Sequence, residues 1–444
     1  MTQQDSASNQ NHQKSLGLFD VTAIIVGIII GSAIYQTPST IAGFLGSAHW
    51  IILVWILGGG LSFIGALCYA ELASAHPKEG GDYFFLHHGF GDWAGFLYAW
   101  GRLWVIHSGN IAMMAAIAGI YGAKLFPIAH GQTIYSICAV IIFTGINCCG
   151  VRQGKISQNI LASAQVIGLV GVIFVAFFLS PGAPAPVEQV KASSVTFQSF
   201  LMALIFVQLT FGGWSDCAFV ASEVKRPEKN ILRALLLGLA IVTLIYLLIN
   251  LALLAALGAQ GMAASSGVMS QVMENSLGTS GGRIISALVV ICALGSVNGM
   301  ILVGGRIYHA FGQDHSLFRF LGQWNSKSSV PLAAFLIQGV IACLLLLSGS
   351  FEQLVIYTSA AHWLFMGMVG ISLIVFRKWE PNLNRPFRVP LFPLIPLIYI
   401  ASCGILFHSS LTYANSQLAY GAWLGFGLVL SGLPVYWISK RLKR

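Results

Sequence analysis

Apolar runs long enough to form membrane-spanning helices, about 20 residues each, recur along the whole chain between short polar stretches. At a rise of 1.5 Å per residue, such a helix crosses the hydrocarbon core of a bilayer. The pattern therefore predicts an all-α polytopic membrane protein with twelve transmembrane helices. Their expected bounds are 17–44, 50–74, 93–120, 133–150, 157–180, 197–222, 231–258, 282–311, 331–348, 352–377, 391–411 and 418–439.

Two of these helices contain residues that break a helix. The first contains "IIIGSAI", and the sixth contains "LTFGGWSDCAF", from Leu209 to Phe219. Small residues at one such step also suit close helix packing, but interrupted helices at matching places in two halves indicate inverted repeats with a midplane binding site. We expect one five-helix repeat over 17–180 and a second over 197–377, followed by a helix pair over 391–439.

A broken helix at mid-membrane has a definite chemistry. The new helix start presents unpaired N–H groups and a partial positive charge to an anion, while the unwound carbonyls accept hydrogen bonds from a cation. An amino acid carries both charges a few ångströms apart. The candidate substrate-binding residues are Ile29, Ile30, Gly31, Ser32, Ala33, Ile34, Leu209, Phe211, Gly212, Trp214 and Asp216.

Composition and charge support the membrane assignment and predict an orientation. Only 8% of the residues are charged and 56% are hydrophobic, whereas soluble domains carry about 25% charged residues. Of the 23 Lys and Arg residues, 19 fall on one predicted side, three (Lys124, Lys191 and Arg283) fall on the other, and Arg102 lies inside a helix. Because cytoplasmic loops retain positive charge, both termini are expected to be cytoplasmic, with a disordered tail over 1–16 and a short tail over 440–444. Topology and attraction to anionic lipid then explain the net charge of +9 without nucleic-acid binding.

Ionisable residues inside the predicted helices are the candidates for coupling. Asp216 contacts substrate, accepts a proton, or pairs with Arg102, and the sequence leaves these interpretations open. Arg102 lies deep enough to favour a structural ion pair or a carbonyl clamp over ligand binding. His107 and His362 are expected to be hydrogen-bonded rather than to couple transport. Phe211 and Trp214 lie at the second break, so their rings are expected to stack on a ligand. Glu71 and Glu223 lie near helix ends and are interpreted as solvated loop charges, with hinge or gate salt bridges as the alternative.

Four segments resemble the amino acid, polyamine and organocation (APC) superfamily, and most closely its bacterial permeases similar to the L-type amino acid transporters. They are "VGIIIGSAIYQTP" in the first helix, "FGGWSDCAFVASEVKRPEKNILRAL" (Phe211 to Leu235), "ALGSVNGMILVGGRIYHAFGQD" (Ala293 to Asp314) and "EPNLNRPFRVPLFPLIPL" (Glu380 to Leu397). The resemblance implies a LeuT-like fold with broken helices 1 and 6 and alternating access. It also implies a substrate carboxylate at Gly31, Ser32 and Ala33, and an ammonium at the carbonyls of Ile29, Leu209 and Phe211.

The chain departs from this pattern at several places. Ala33 replaces the second glycine of the usual GSG motif, and Leu209 stands where many relatives carry a phenylalanine that closes over substrate. Gln165 stands where sodium-independent relatives often carry a lysine, so it is a further candidate for coupling or gating. The loop "GAKLFPIAHGQ" lacks the cysteine with which animal relatives bind a heavy subunit, so no such partner is expected.

These features together predict a secondary transporter that moves neutral amino acids across a bacterial inner membrane, as a proton symporter or an exchanger. The alternatives are a carrier of cationic amino acids or polyamines, with Asp216 as the extra carboxylate, and an amino-acid sensor that does not transport. An enzyme is not expected, because the sequence contains no nucleophile elbow or Walker motif. The eight cysteines form no CxxC or Cys/His cluster, so neither a metal nor another cofactor is expected.

Overall fold

The computed structural model consists of helices, with isolated bridges and no strand among the residues that it describes. The described residues are 16–31, 33–77, 81–180, 195–265, 267–325, 328, 330–348, 351–417 and 421–442. The predicted N-terminal tail except Leu16 therefore lies outside the described residues, as do Ser32 and Lys191, whereas residues 440–442 of the predicted C-terminal tail are helical.

Seventeen α-helices make up the described chain. They are α1 (Leu18–Ile29), α2 (Ala33–Leu45), α3 (Ala48–Ala75), α4 (Asp82–Phe90), α5 (Asp92–Gly101), α6 (His107–Leu125), α7 (Gly131–Cys148), α8 (Val151–Phe178), α9 (Phe197–Thr210), α10 (Pro227–Ala264), α11 (Val268–Leu277), α12 (Thr279–Asp314), α13 (Leu332–Ser348), α14 (Phe351–Trp379), α15 (Leu394–Gln417), α16 (Gly421–Leu430) and α17 (Gly432–Leu442). A π-helical segment, Arg102–Ile106, joins α5 to α6, and 3-10 segments cover Trp214–Glu223 and Ser316–Gly322.

Nine helical stretches among the described residues are long and apolar enough to cross a membrane. They are Ala48–Ala75, Asp92–Leu125, Gly131–Cys148, Arg152–Phe178, Phe197–Ala218, Pro227–Ala264, Thr279–Asp314, Thr358–Trp379 and Leu394–Thr412. Each overlaps one of the twelve predicted helices, so the chain is a multi-pass membrane protein.

The other three predicted helices are shorter or interrupted in the structure. The first is divided into α1 and α2, the ninth corresponds to α13 with 17 residues, and the twelfth is divided at Ser431 between α16 and α17. The seventh loses helical geometry at Gly258, with φ 67°, where its end is predicted. The count of twelve and the repeat boundaries therefore stay predictions.

The outer surface of α8 shows why the sequence is so apolar. Ile160, Ile167, Phe174 and Phe178 recur at helical spacing and are 64%, 71%, 55% and 72% exposed. In a membrane protein such a stripe faces lipid rather than water. The opposite side of the same helix packs against α1, α10 and α12, which places α1 inside the molecule.

Buried ion pairs correct the interpretation of Glu71 and Glu223 as solvated loop charges. Glu71 is 1% exposed and accepts hydrogen bonds from Arg377 Nε at 2.8 Å and Nη2 at 2.6 Å. Glu223 is 3% exposed and accepts one from Arg306 Nε at 2.7 Å. Each arginine is distant in sequence but adjacent in the fold, so the salt-bridge alternative describes both carboxylates.

The two interrupted helices also meet at one end of the molecule. The N–H of Leu16, just before α1, donates to the carbonyl of Glu223 at 3.1 Å, and the N–H of Lys225 donates to the carbonyl of Leu16 at 2.8 Å. The beginning of α1 is therefore tied to the end of the 3-10 segment that follows α9.

Candidate functional site

A cavity of about 210 Å³ lies between the two helix breaks. Its wall combines residues of both breaks and of the flanking helices α2 and α9 with residues of the π-helical segment and of α6, α12 and α14. The described wall consists of Ile28, Ile29, Gly31, Ala33, Thr37, Thr40, Arg102, Asn110, Met113, Met114, Phe206, Gln208, Leu209, Thr210, Gly212, Gly213, Asp216, Met300, Thr358, Ser359, His362 and Trp363.

The first break lies where the glycine-serine step predicts it. Helix α1 ends at Ile29, Ile30 has φ −72° and ψ 68°, and α2 begins at Ala33. A Cβ added to Gly31 would lie 3.2 Å from Met114 Sδ and 3.3 Å from Ser296 Oγ. The glycine therefore lets α6 and α12 approach the unwound backbone closely.

The carbonyls freed at the end of α1 have side-chain partners from distant helices. Ser296 Oγ donates to the carbonyl of Gly27 at 3.2 Å, and the hydroxyl of Tyr246 donates to that of Ile29 at 3.0 Å. Tyr246 also lies 3.3 Å from the carbonyl of Thr210, at the end of α9. One hydroxyl of α10 therefore links both breaks, which is how interrupted backbone is satisfied inside a membrane.

The second break begins with a turn and continues as a 3-10 segment rather than an α-helix. Helix α9 ends at Thr210, and Gly213 has φ 107°, which favours glycine. A Cβ on Gly213 would lie 2.5 Å from Ile28 Cγ2. The two breaks are therefore in contact, and the contact depends on a missing side chain.

An ion pair forms part of the cavity wall. Arg102 Nη2 donates to Asp216 Oδ1 at 2.9 Å, and the two residues are 3% and 5% exposed. Arg102 begins the π-helical segment, a distortion that is frequent at functional sites. The structure thus contains the pairing that the sequence offered as one interpretation of Asp216, and the opposite charges compensate each other within the wall.

The structure brings six of the eleven candidate substrate-binding residues to the described cavity wall: Ile29, Gly31, Ala33, Leu209, Gly212 and Asp216. Ile30, Ile34, Phe211 and Trp214 are buried beside it. The Phe211 ring does not belong to the described cavity wall, and its stacking on a ligand stays a prediction. The ring packs 5.2 Å from Tyr246 and 6.0 Å from Trp55, because the turn after Thr210 directs it between α3 and α10.

Two other candidates lie near the cavity without joining its wall. Trp214 packs against Tyr69 at 5.1 Å. Gln165 is fully buried, and its Nε2 donates to the carbonyl of Cys292 at 2.8 Å, with a weaker 3.5 Å contact to that of Gly27. The amide thus bridges α1 and α12 as a neutral donor.

Several polar residues of the site were not singled out from the sequence. Tyr246 and Ser296 lie within long apolar helices, and Asn110, Thr358 and Ser359 belong to the cavity wall. A polar side chain in an apolar helix is the only signal that marks them. Such residues also occur at many packing contacts, so the signal does not separate them from their neighbours.

Comparison with known proteins gives a consistent result. The model of a family described as amino acid permease matches residues 16–431. The human large neutral amino acids transporter small subunit 2 is 30% identical, with 96% of this chain and 80% of the relative covered. The mouse Asc-type amino acid transporter 1 is 28% identical, with 96% and 81% covered. The mouse b(0,+)-type amino acid transporter 1 is 29% identical, with 87% and 80% covered.

Proposed function

Because the chain belongs to the amino acid permease family, we propose that it carries neutral amino acids across the membrane by alternating access. The observation that supports this substrate class most directly is the Arg102–Asp216 pair in the cavity wall. A zwitterion carries no net charge, and neither does this pair. The volume of about 210 Å³ is below the roughly 300–1,000 Å³ of drug-sized ligand sites, as a small ligand requires.

The proposed pose follows from the polarity of the two breaks. The substrate carboxylate lies at the start of α2, where Gly31 and Ala33 line the cavity and the amides of the first turn lack helical partners. The ammonium lies toward the carbonyls that end α1 and α9, near Ile29 and Leu209. The carbonyl of Ile29 already accepts from the hydroxyl of Tyr246 at 3.0 Å and from the N–H of Gly31 at 2.7 Å, so an ammonium bound there replaces one of these two donors.

The cationic alternative requires a carboxylate that is available to the ligand. Asp216 is the carboxylate of the described cavity wall, and Arg102 holds it at 2.9 Å. A second positive charge entering this wall lacks a counter-charge, and burying an unpaired charge costs several kcal/mol. This reasoning favours neutral substrates over cationic amino acids and polyamines.

The proposed cellular setting follows from the loops. The predicted side that holds both termini contains 19 Lys and Arg residues, and the opposite side contains three. This distribution supports cytoplasmic termini in a bacterial inner membrane. The relative named as a small subunit implies an assembly for that protein. Here the loop over 122–132 contains no cysteine, so we propose that this chain functions without a disulfide-linked heavy subunit.

Competition binding tests the substrate class. We expect neutral amino acids such as leucine or alanine to displace a bound radiolabelled neutral amino acid from the purified protein. Lysine and putrescine should compete at least about a hundredfold more weakly, because their extra charge is unpaired in the cavity. Scintillation proximity measures this ranking directly. Equal or tighter binding of lysine or putrescine would instead support the cationic alternative.

A further inference from the structure

A second buried carboxylate lies next to the cavity-wall ion pair. Asp82 begins α4 and is 1% exposed. The hydroxyl of Tyr98 donates to its Oδ2 at 2.9 Å, while its Oδ1 is buried without a hydrogen-bond partner among the described residues. An ionised carboxylate in such surroundings is costly, whereas a protonated one needs less solvation. The geometry therefore favours the protonated acid.

The charges around Asp82 support the same conclusion. Arg102 lies beside Tyr98, with its Cζ 5.7 Å from the ring centroid, and its guanidinium already contacts Asp216. Two carboxylates thus share the field of one arginine. The titratable groups that face Asp82 from the surrounding elements are Tyr69, Tyr98, Arg102, Asp216, Cys217 and Tyr399.

Asp82 lies outside the membrane-spanning helices, since α4 precedes the span Asp92–Leu125. Burial raises the pKa of its carboxyl to about 7; the charge of Arg102 and the Tyr98 hydroxyl oppose this shift, and the charge of Asp216 adds to it. The carboxyl therefore titrates near neutral pH, where a modest change in its surroundings changes its protonation.

We propose that Asp82 is a proton-binding site through which transport is coupled to the movement of one proton, an inference that rests on the proposed function. Asp82, Tyr98 and Arg102 belong to consecutive elements, α4, α5 and the π-helical segment. Asp216 belongs to the 3-10 segment of the other broken helix. A movement of that segment during alternating access changes the distance between Arg102 and Asp216.

The coupling step is a simple proton release. When Asp216 moves away, the charge of Arg102 is left to stabilise the ionised form of Asp82, and the carboxyl O–H bond breaks with the proton passing to water. When Asp216 returns, it again compensates Arg102, and Asp82 takes up a proton. Proton binding and the conformation of the cavity are then linked, and linkage requires each to bias the other.

The test uses full-length protein in proteoliposomes and two transport readouts. One is exchange of labelled for unlabelled neutral amino acid at equal pH on both sides; the other is uptake driven by an inward proton gradient. We expect Asp82→Asn to keep exchange within about twofold while losing at least about tenfold of the gradient-driven uptake. Exchange in this variant should also be independent of pH between about pH 6 and pH 8.

Two further variants distinguish coupling from a structural role. Asp92→Asn removes a carboxylate of α5 whose side chain is 58% exposed, and it should behave as wild type. Tyr98→Phe removes a hydrogen bond that favours the ionised carboxylate, so the midpoint of the pH dependence should move to higher pH with coupling retained.

Proton movement is followed independently with a pH-sensitive dye trapped in the vesicles. Substrate should acidify the lumen of vesicles with wild type or Asp92→Asn, but not of those with Asp82→Asn. The proposal is overturned if Asp82→Asn retains gradient-driven uptake, if it loses exchange as well, or if wild type exchanges substrate without responding to a pH gradient. Absence of any wild-type amino acid transport, by contrast, would contradict the proposed function itself.

Discussion

Replacement of Arg102 by methionine should abolish amino acid transport and lower the free energy of unfolding by about 3–5 kcal/mol, the cost of leaving a buried charge without its partner. Asp216 is 5% exposed and hydrogen-bonds to Arg102 at 2.9 Å, so it remains buried as an uncompensated carboxylate in the variant. The stability is measured by thermal unfolding: samples of the purified variant are heated, and size-exclusion chromatography then shows how much folded protein remains. Uptake into proteoliposomes measures the activity.

The double variant Arg102→Met/Asp216→Leu separates the charge from the packing. Removing both charges restores much of the lost stability, because a buried ion pair replaced by apolar residues is often neutral or stabilising. Transport should stay absent, since the cavity wall has lost both members of the Arg102–Asp216 ion pair. A matched control is Arg283→Met, which removes an exposed arginine and should change neither property. Full transport by Arg102→Met would contradict the assigned role of the pair.

Replacement of Gly213 by alanine should also abolish transport, through the contact between the two breaks. The residue has φ 107°, a conformation that costs about 1–3 kcal/mol for other residues. Its new Cβ would lie 2.5 Å from Ile28 Cγ2, so α1 and the 3-10 segment must separate to accommodate it. The expected result is lower thermal stability and loss of neutral amino acid binding, measured by scintillation proximity.

The control for this variant is a glycine without such a contact. A Cβ on Gly43, in α2, meets no atom within 4 Å, and alanine is favoured over glycine in a helix by about 1 kcal/mol. Gly43→Ala should therefore bind substrate as wild type does and be equally or more stable. If Gly213→Ala binds neutral amino acids with wild-type affinity, the site does not depend on the close approach of the two breaks.

The parts of this structure that depend on local sequence were predictable. Hydropathy locates the long helices because every apolar run must be long enough to cross the bilayer. Glycine steps locate the breaks near Gly31 and Gly213, because a residue without Cβ tolerates both unusual φ and close backbone approach. The single ionisable residues Arg102 and Asp216 stand out because charges are rare inside apolar helices.

Features that depend on long-range packing were not predictable in the same way. The hydroxyl of Tyr246 reaches both breaks only because α10 crosses between them, and nothing near Tyr246 in the sequence marks it. The orientation of the Phe211 ring is set by its packing against Trp55 and Tyr246. Glu223 is buried only because α12 places Arg306 beside it. From the sequence alone, Glu223 lies near a predicted helix end, where a charged side chain is expected to be exposed to water.

The central claim is that the cavity between the breaks carries neutral amino acids across the membrane, and a counterflow experiment tests it most directly. Proteoliposomes are loaded with an unlabelled neutral amino acid and diluted into a trace of the same labelled compound at equal pH. The account predicts that labelled amino acid transiently accumulates inside the vesicles above its external concentration. This accumulation should be absent with Gly213→Ala and in vesicles without protein. Binding of the labelled amino acid without accumulation would identify a sensor and contradict the account.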